Sequence, residues 1–322
     1  MVIRIILTLC VVMFSFLHVQ ACDVCGCSAT GDSWGMMPNF NRSFFGVRSQ
    51  WRAFESVHPD TGDEFANLPV NDDFFRTDIT MRWGLNQRLG LLAQMPYRYN
   101  LREEGKDNSV HQGWGDASVQ AQFLVLKPGL RLWQHALFIS GGIEMPTGHF
   151  KFSHDVPSML QPGSGTWDKL FGINYTLKRE GFGVNIEANY RDNGKIGTYE
   201  WGDVMSGNLR LFAKVQADSM LQIIPWIGAG YEHYDRNIEN TVYDISAAYT
   251  GGYVMPFNAG VDVFAEKYSV SIDAGIPMVN SFSDDFGKMK IHVGMKIIFY
   301  VRDIQIFNKN NNLNFNNISN EK

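Results

Sequence analysis

The stretch Phe182-Gly183-Val184-Asn185-Ile186-Glu187-Ala188-Asn189-Tyr190-Arg191 changes character at every step. Successive side chains of a β-strand point to opposite faces. One face therefore carries Phe182, Val184, Ile186, Ala188 and Tyr190, and the other Asn185, Glu187, Asn189 and Arg191 with Gly183. The same period of two runs outward in both directions along the chain. Phe75, Thr77, Ile79, Met81, Trp83 and Leu85 alternate with Arg76, Asp78, Thr80, Arg82 and Gly84, and Phe171, Ile173, Tyr175 and Leu177 with Gly172, Asn174, Thr176 and Lys178. No helical period of useful length follows the first 21 residues.

Alternation alone fits either a soluble sandwich, with its apolar face turned inward, or a membrane barrel, where the apolar face meets lipid. Connection lengths separate the two. The pattern predicts strands at 42–56, 72–85, 89–102, 113–126, 130–145, 165–178, 182–191, 202–215, 220–234, 243–264, 268–278 and 288–300. Tight turns such as Asn86-Gln87-Arg88, Lys127-Pro128-Gly129 and Ala265-Glu266-Lys267 alternate with long loops at 57–71, 103–112, 146–164 and 279–287. Short turns on one rim and long loops on the other are the outer-membrane arrangement, with the short turns periplasmic. The expected fold is thus all-β: an antiparallel transmembrane β-barrel of about 12 strands. Aromatic residues near strand ends, including Phe44, Phe45, Trp83, Trp133, Tyr175 and Tyr234, suit the two interfacial girdles.

The N-terminus points to export. Arg4 precedes an apolar run over 5–17, which ends in the small-residue site Val19-Gln20-Ala21. That is a secretory signal peptide over 1–21, followed by a periplasmic cysteine-containing segment over 22–41, the barrel over 42–300 and a polar, asparagine-rich tail over 301–322. The expected location is the outer membrane of a Gram-negative bacterium. A net charge of −5 excludes the basic excess of a nucleic-acid binder.

Cys22, Cys25 and Cys27 form a C-x-x-C-x-C cluster. In an oxidising periplasm two of them could pair. Cys22, directly after the cleavage point, is also the position that lipidation would use, although Gln20 is a poor fit two residues earlier. A third reading is a soft-metal site, with thiolates wrapping copper or zinc and Met36-Met37 adding thioethers. No other cofactor is implied. His149 and His154 sit in a proline-containing loop with poor ligand spacing, and no nucleophilic triad, phosphate loop or zinc-protease motif is present.

Strand parity puts Arg48, Arg52, Arg76, Arg82, Arg98 and Arg102 on the inward faces of the first three strands, a cationic wall. Asp116, Glu144, Glu187 and Asp273 share that inward face elsewhere. Rings of fixed charge select permeants by sign. Equally, charges in a narrow barrel pair across the lumen and satisfy one another; the sequence leaves both open.

Several short motifs carry a family resemblance: Met95-Pro96-Tyr97-Arg98, Gly113-Trp114-Gly115-Asp116, Glu144-Met145-Pro146-Thr147-Gly148, Gly163-Ser164-Gly165-Thr166-Trp167-Asp168 and Tyr249-Thr250-Gly251-Gly252. With Cys22-Asp23-Val24-Cys25-Gly26-Cys27-Ser28 they span 22–300. In these the chain resembles the Bacteroidetes outer-membrane barrels known simply as transporters, and is similar to the barrels of the meta-pathway of phenol degradation. The resemblance implies a barrel and a transport role, with no substrate and no catalytic residue to carry over.

The expectation is a barrel, not an enzyme, that passes or binds a small solute, anionic or aromatic, through a charged lumen. The loop over 146–164 would fold over or into its mouth. The alternative is a membrane anchor that presents the cysteine segment to a periplasmic metal or redox partner. A lipid hydrolase would need a serine beside a histidine on the outer wall, and the strand histidines His135 and His292 have no evident serine partner. Expected partners are the lipid bilayer and the solute; oligomeric state is not readable.

Overall fold

The computed structural model describes residues 42–57, 69–104, 107–127, 132–151, 158–179, 181–218, 221–239, 250–282 and 287–301. The expected signal peptide, the cysteine segment and all but the first residue of the expected tail lie outside the described residues. Seventeen strands follow in chain order: β1 (Ser43–Val57), β2 (Pro69–Gly84), β3 (Leu89–Glu104), β4 (Asp107–Trp114), β5 (Ala117–Leu126), β6 (Trp133–Met145), β7 (Asp168–Arg179), β8 (Phe182–Asp192) and β9 (Lys195–Ile196). Then come β10 (Tyr199–Glu200), β11 (Val204–Ala213), β12 (Val215–Asp218), β13 (Leu221–Tyr234), β14 (Ile238–Glu239), β15 (Gly252–Phe264), β16 (Tyr268–Phe282) and β17 (Gly287–Val301). Among the described residues the only helical piece is a 3-10 turn at Ser158–Leu160.

Neighbouring strands pair antiparallel around a closed ring, in which β1 joins β17 and β11 joins β13. β4 and β5 are one strand interrupted at Gly115 and Asp116, and β12 continues β11 past Lys214. Counted that way the ring has twelve strands. The uninterrupted ones are 11–16 residues long, and all but β8 exceed the roughly 9–11 that cross a bilayer, so several extend beyond it. β9, β10 and β14 form a separate small sheet within the connections between β8 and β11 and between β13 and β15.

Apolar side chains cover the outside: Phe75, Ile79, Phe171, Ile173, Ile186 and Ile272 are all exposed. The alternate positions are buried and polar. With no water in the hydrocarbon to satisfy backbone groups, a ring closed on itself leaves no strand edge exposed. This apolar-out, polar-in closed barrel sits in the outer membrane of a Gram-negative cell.

Two aromatic residues placed at the girdles by sequence face the other way. Phe44 joins Leu92 and Ile298 in an apolar cluster inside the barrel, and Tyr234 is buried in another. Both share inward parity, with Arg48 and Glu232 respectively. Proximity to a strand end does not decide the face; parity does.

Candidate functional site in the lumen

The described parts of the connection after β6, 146–151 and 158–167, turn back against the barrel, and four of the sequence motifs meet there. Gly115 interrupts the strand between β4 and β5; its N–H donates to Pro96 O at 2.8 Å. The break aims the Asp116 carboxylate at the loop, where it accepts from Gly148 N at 2.8 Å and from Ser164 N at 2.5 Å. Thr147 Oγ1 accepts from Ala117 N at 2.8 Å. A Cβ on Gly148 would come within 2.7–2.9 Å of the Gly115 and Gly163 backbones, so three chain segments touch there because all three residues are glycine. The fifth motif closes the far side, with Thr250 Oγ1 accepting from Asn237 N at 2.8 Å.

Held this way, the loop inserts Leu160 into the barrel. Leu160 has 0% exposure and packs in one cluster with Phe54, Phe74, Val204, Tyr234, Val254, Phe282 and Met289. Those residues come from β1, β2, β11, β13, β15, β16 and β17, so the cluster forms an apolar layer over that arc of the barrel near its outer end. Asn100 Nδ2 donates to Leu160 O at 2.8 Å, and Gln161 clasps the backbone of Lys151 at 2.7 and 2.9 Å.

The ten charged residues singled out by parity all point inward. Arg48, Arg52, Arg76, Arg82, Arg102, Asp116, Glu144 and Glu187 are buried, and Arg98 and Asp273 are half-buried at the edges of two cavities. The first three strands do not form a purely cationic wall, because Asp72 and Asp78 interleave with the arginines. Arg102 pairs with Asp72 through two bonds of 2.8 and 2.7 Å, and Arg76 Nε donates to Asp78 at 2.6 Å. Arg191 reaches Glu144 at 2.9 Å, and Arg210 lies 3.8 Å from Glu187. Arg82 donates to Gln122 Oε1 at 2.8 Å.

Ion pairing also crosses the lumen. Arg52 of β1 makes a two-pronged pair with Glu232 of β13, at 2.8 and 2.9 Å, and Tyr234 Oη donates to the same carboxylate at 2.6 Å. Glu232, Asp72, Asp78, Arg191, Asp262 and Leu160 are buried lumen positions not singled out from the sequence. The five charged ones had a signal in the same parity that marked the arginines. Leu160 had none, since it lies in a loop without periodicity. The strand histidines separate: His135 faces outward with Nδ1 2.7 Å from Tyr175 Oη, whereas His292 is buried in the lumen 3.6 Å from Asp273.

Among solved structures, this geometry is similar to an outer membrane channel from Pseudomonas putida F1, at a TM-score of 0.58 and 14% identity, over 83% of this chain and 100% of that one. The fold is that of an outer-membrane β-barrel. The transport unit of the autotransporter AIDA-I from Escherichia coli (TM-score 0.47, 12% identity, 84% and 94% coverage) and the beta domain of the Bordetella autotransporter Brka (0.46, 8%, 80% and 100%) share less of it. No family model and no curated protein matches the chain, so the resemblance to the phenol-degradation barrels stands on the sequence motifs.

The apolar layer separates two cavities. The outer one is bounded by Arg98, Glu144, Met159, Arg191, Trp201 and Tyr234. The inner one lies against β1, β11, β13, β15, β16 and β17. Met289 belongs both to the Leu160 cluster and to the inner cavity. Trp226 belongs to that cavity and to a lower apolar cluster with Phe212, Ile224 and Phe264. The inner cavity thus lies between two apolar layers, while ion pairs such as Arg102 with Asp72 and Arg191 with Glu144 line the side of β2 to β8.

Proposed function

We propose that the protein is a gated outer-membrane channel that passes small anionic solutes, aromatic acids among them, with the turn at Ser158–Leu160 as its gate. The observation that carries this reading is Leu160, wholly buried in an apolar layer built by seven strands. Burying one leucine is worth about 2 kcal/mol, enough to hold a loop closed and small enough for a solute or a thermal fluctuation to reverse. Sign preference follows from the inner cavity, where Arg48, Arg52, Arg210 and Lys296 face Glu232, Asp262 and Asp273. Fixed charges at close quarters select by sign.

Leu160→Asp puts a charge where only apolar groups surround it, so the turn leaves the layer. In planar bilayers the variant is expected to conduct severalfold more current than the parent, with a reversal potential favouring anions. Conductance no higher than the parent's, from a correctly folded barrel, would overturn the gate.

A further inference from the structure

The wall of the barrel is not evenly paired. β1 and β2 stay in register from Phe44 opposite Arg82 to Val57 opposite Pro69. The ladder between β16 and β17 runs only from Tyr268 opposite Phe299 to Gly275 opposite His292. Past that point residues 276–282 of β16 and 287–291 of β17 are not in register with each other. A side chain spans the seam instead: Asn280 Nδ2 donates to Met289 O at 3.1 Å, and Asn280 Oδ1 accepts from Met289 N at 3.1 Å. One amide side chain thus stands in for the peptide group that a neighbouring strand supplies.

The strand on the other side of β16 is loosened at the same level. Pro256 of β15 faces Pro277 of β16, and Met278 is looped out between Pro277 and Val279. Proline has no N–H to give to a ladder, and within sheets it is confined to edges and bulges. Here two prolines lie opposite each other inside a closed wall. Towards β13, β15 is in register at Phe257 opposite Ala229 and again at Val254 opposite Glu232, but not at Met255 and Pro256 between them.

The depth of this stretch follows from its neighbours. A short periplasmic turn joins β15 to β16, so residues 276–282 lie in the half of the wall away from the periplasm. Tyr231 and Tyr253, with ring centroids 6.1 Å apart, mark the headgroup level, and Met255 and Pro256 follow Tyr253 towards the periplasm. The loosened stretch therefore faces outer-leaflet hydrocarbon. At that depth irregular backbone is tolerated only where protein buries it or where it lines a cavity. Pro256 and Met289 do line the inner cavity.

Carbon faces the seam on both sides. Outside, Ile276, Met278 and Val279 are exposed, Met278 to 70%. Inside, Phe282 and Met289 belong to the apolar layer around Leu160. We infer that the seam between β16 and β17 is a lateral portal, through which uncharged apolar molecules dissolved in the outer leaflet enter the inner cavity directly from the membrane. Asn280 is its clasp. A charged solute would have to shed its water in hydrocarbon to use this route, so the portal takes a different class of molecule from the axial path proposed above and reaches the cavity without moving Leu160.

The test follows uptake of N-phenyl-1-naphthylamine, an uncharged dye that fluoresces once it enters a membrane interior, by Gram-negative cells that make the full-length chain. Uptake is expected to be severalfold faster than in cells without the chain, and faster again with Asn280→Ala, which unfastens the clasp. Asn280→Cys with Met289→Cys, in a chain also carrying Cys22→Ser, Cys25→Ser and Cys27→Ser, closes the seam by a disulfide. Oxidised, this variant should take up dye no faster than cells without the chain, and a reductant should restore uptake. Heat-modifiable gel mobility checks that each barrel is folded. Uptake unchanged by a disulfide that mass spectrometry shows to be formed overturns the portal. If the disulfide does not form, equal uptake with the parent and with Asn280→Ala overturns it. Ion conductance in planar bilayers is read separately. A barrel that conducts without admitting dye sinks this inference alone, and one that admits dye through the seam without conducting sinks only the axial gate.

Discussion

Arg52 shows how far a single residue could be read. Its inward face followed from parity with Arg48, but its partner lies 180 residues away in sequence on a strand it does not touch. Pairing across a lumen depends on which strands face each other once the ring closes, and that is a property of the closed barrel, not of any window of sequence. The energetics follow from burial. Two charges taken out of water gain little net stability as a pair, whereas removing one partner leaves the other uncompensated, at a cost of about 3–5 kcal/mol. Glu232→Leu is therefore expected to destabilise the barrel by about that amount, because Arg52 stays buried without its carboxylate. The double variant Arg52→Leu with Glu232→Leu should recover most of the loss. Urea unfolding midpoints of the three variants check this, and a double variant no more stable than Glu232→Leu would show that the pair is not coupled.

At the scale of elements, the strands were legible and the loop was not. Alternation located the strand over 182–191 to within a residue, because one face must meet lipid and the other the lumen. It missed the break at Gly115 and Asp116, since glycine and aspartate continue the pattern while interrupting the pairing. The motif Gly113-Trp114-Gly115-Asp116, read as a strand start, is instead the seat of the loop over 146–167. Two backbone N–H groups converge on the Asp116 carboxylate there, each bond to a charged group being worth about 1.5–3 kcal/mol. Asp116→Ala removes both, and a loss of about 3 kcal/mol shifts the closed population roughly a hundredfold. Single-channel records of Asp116→Ala should show frequent openings with global stability nearly unchanged, while Asp116→Asn, keeping one acceptor oxygen, falls between. Dwell times equal to the parent's would remove Asp116 from the latch.

For the whole molecule, twelve strands and alternating loop lengths carried the membrane reading, and the closed ring supplies its physical reason: each strand is paired with a neighbour on both sides and the apolar face is outside. What the sequence left open was the state of the lumen, because both readings use the same inward charges. In the fold charges pair on the side of β2 to β8, as Arg102 with Asp72 and Arg191 with Glu144, and a cavity lies beside β11 to β1. The membrane assignment itself makes a depth-dependent prediction. Ile173 lies near the middle of β7 on the outer face, 53% exposed, and Phe182 lies outward beside a periplasmic turn, 72% exposed. On a soluble barrel both are solvent positions, and arginine at either would change little. In a bilayer, arginine at the midplane costs about 2–4 kcal/mol and near the interface about 0–1. Ile173→Arg is therefore expected to lower folding stability in lipid vesicles by the larger amount and Phe182→Arg by the smaller. Both are measured by urea titration of reversible folding; equal effects at the two depths would contradict a bilayer around β7, since only lipid distinguishes two residues that are otherwise alike in facing outward.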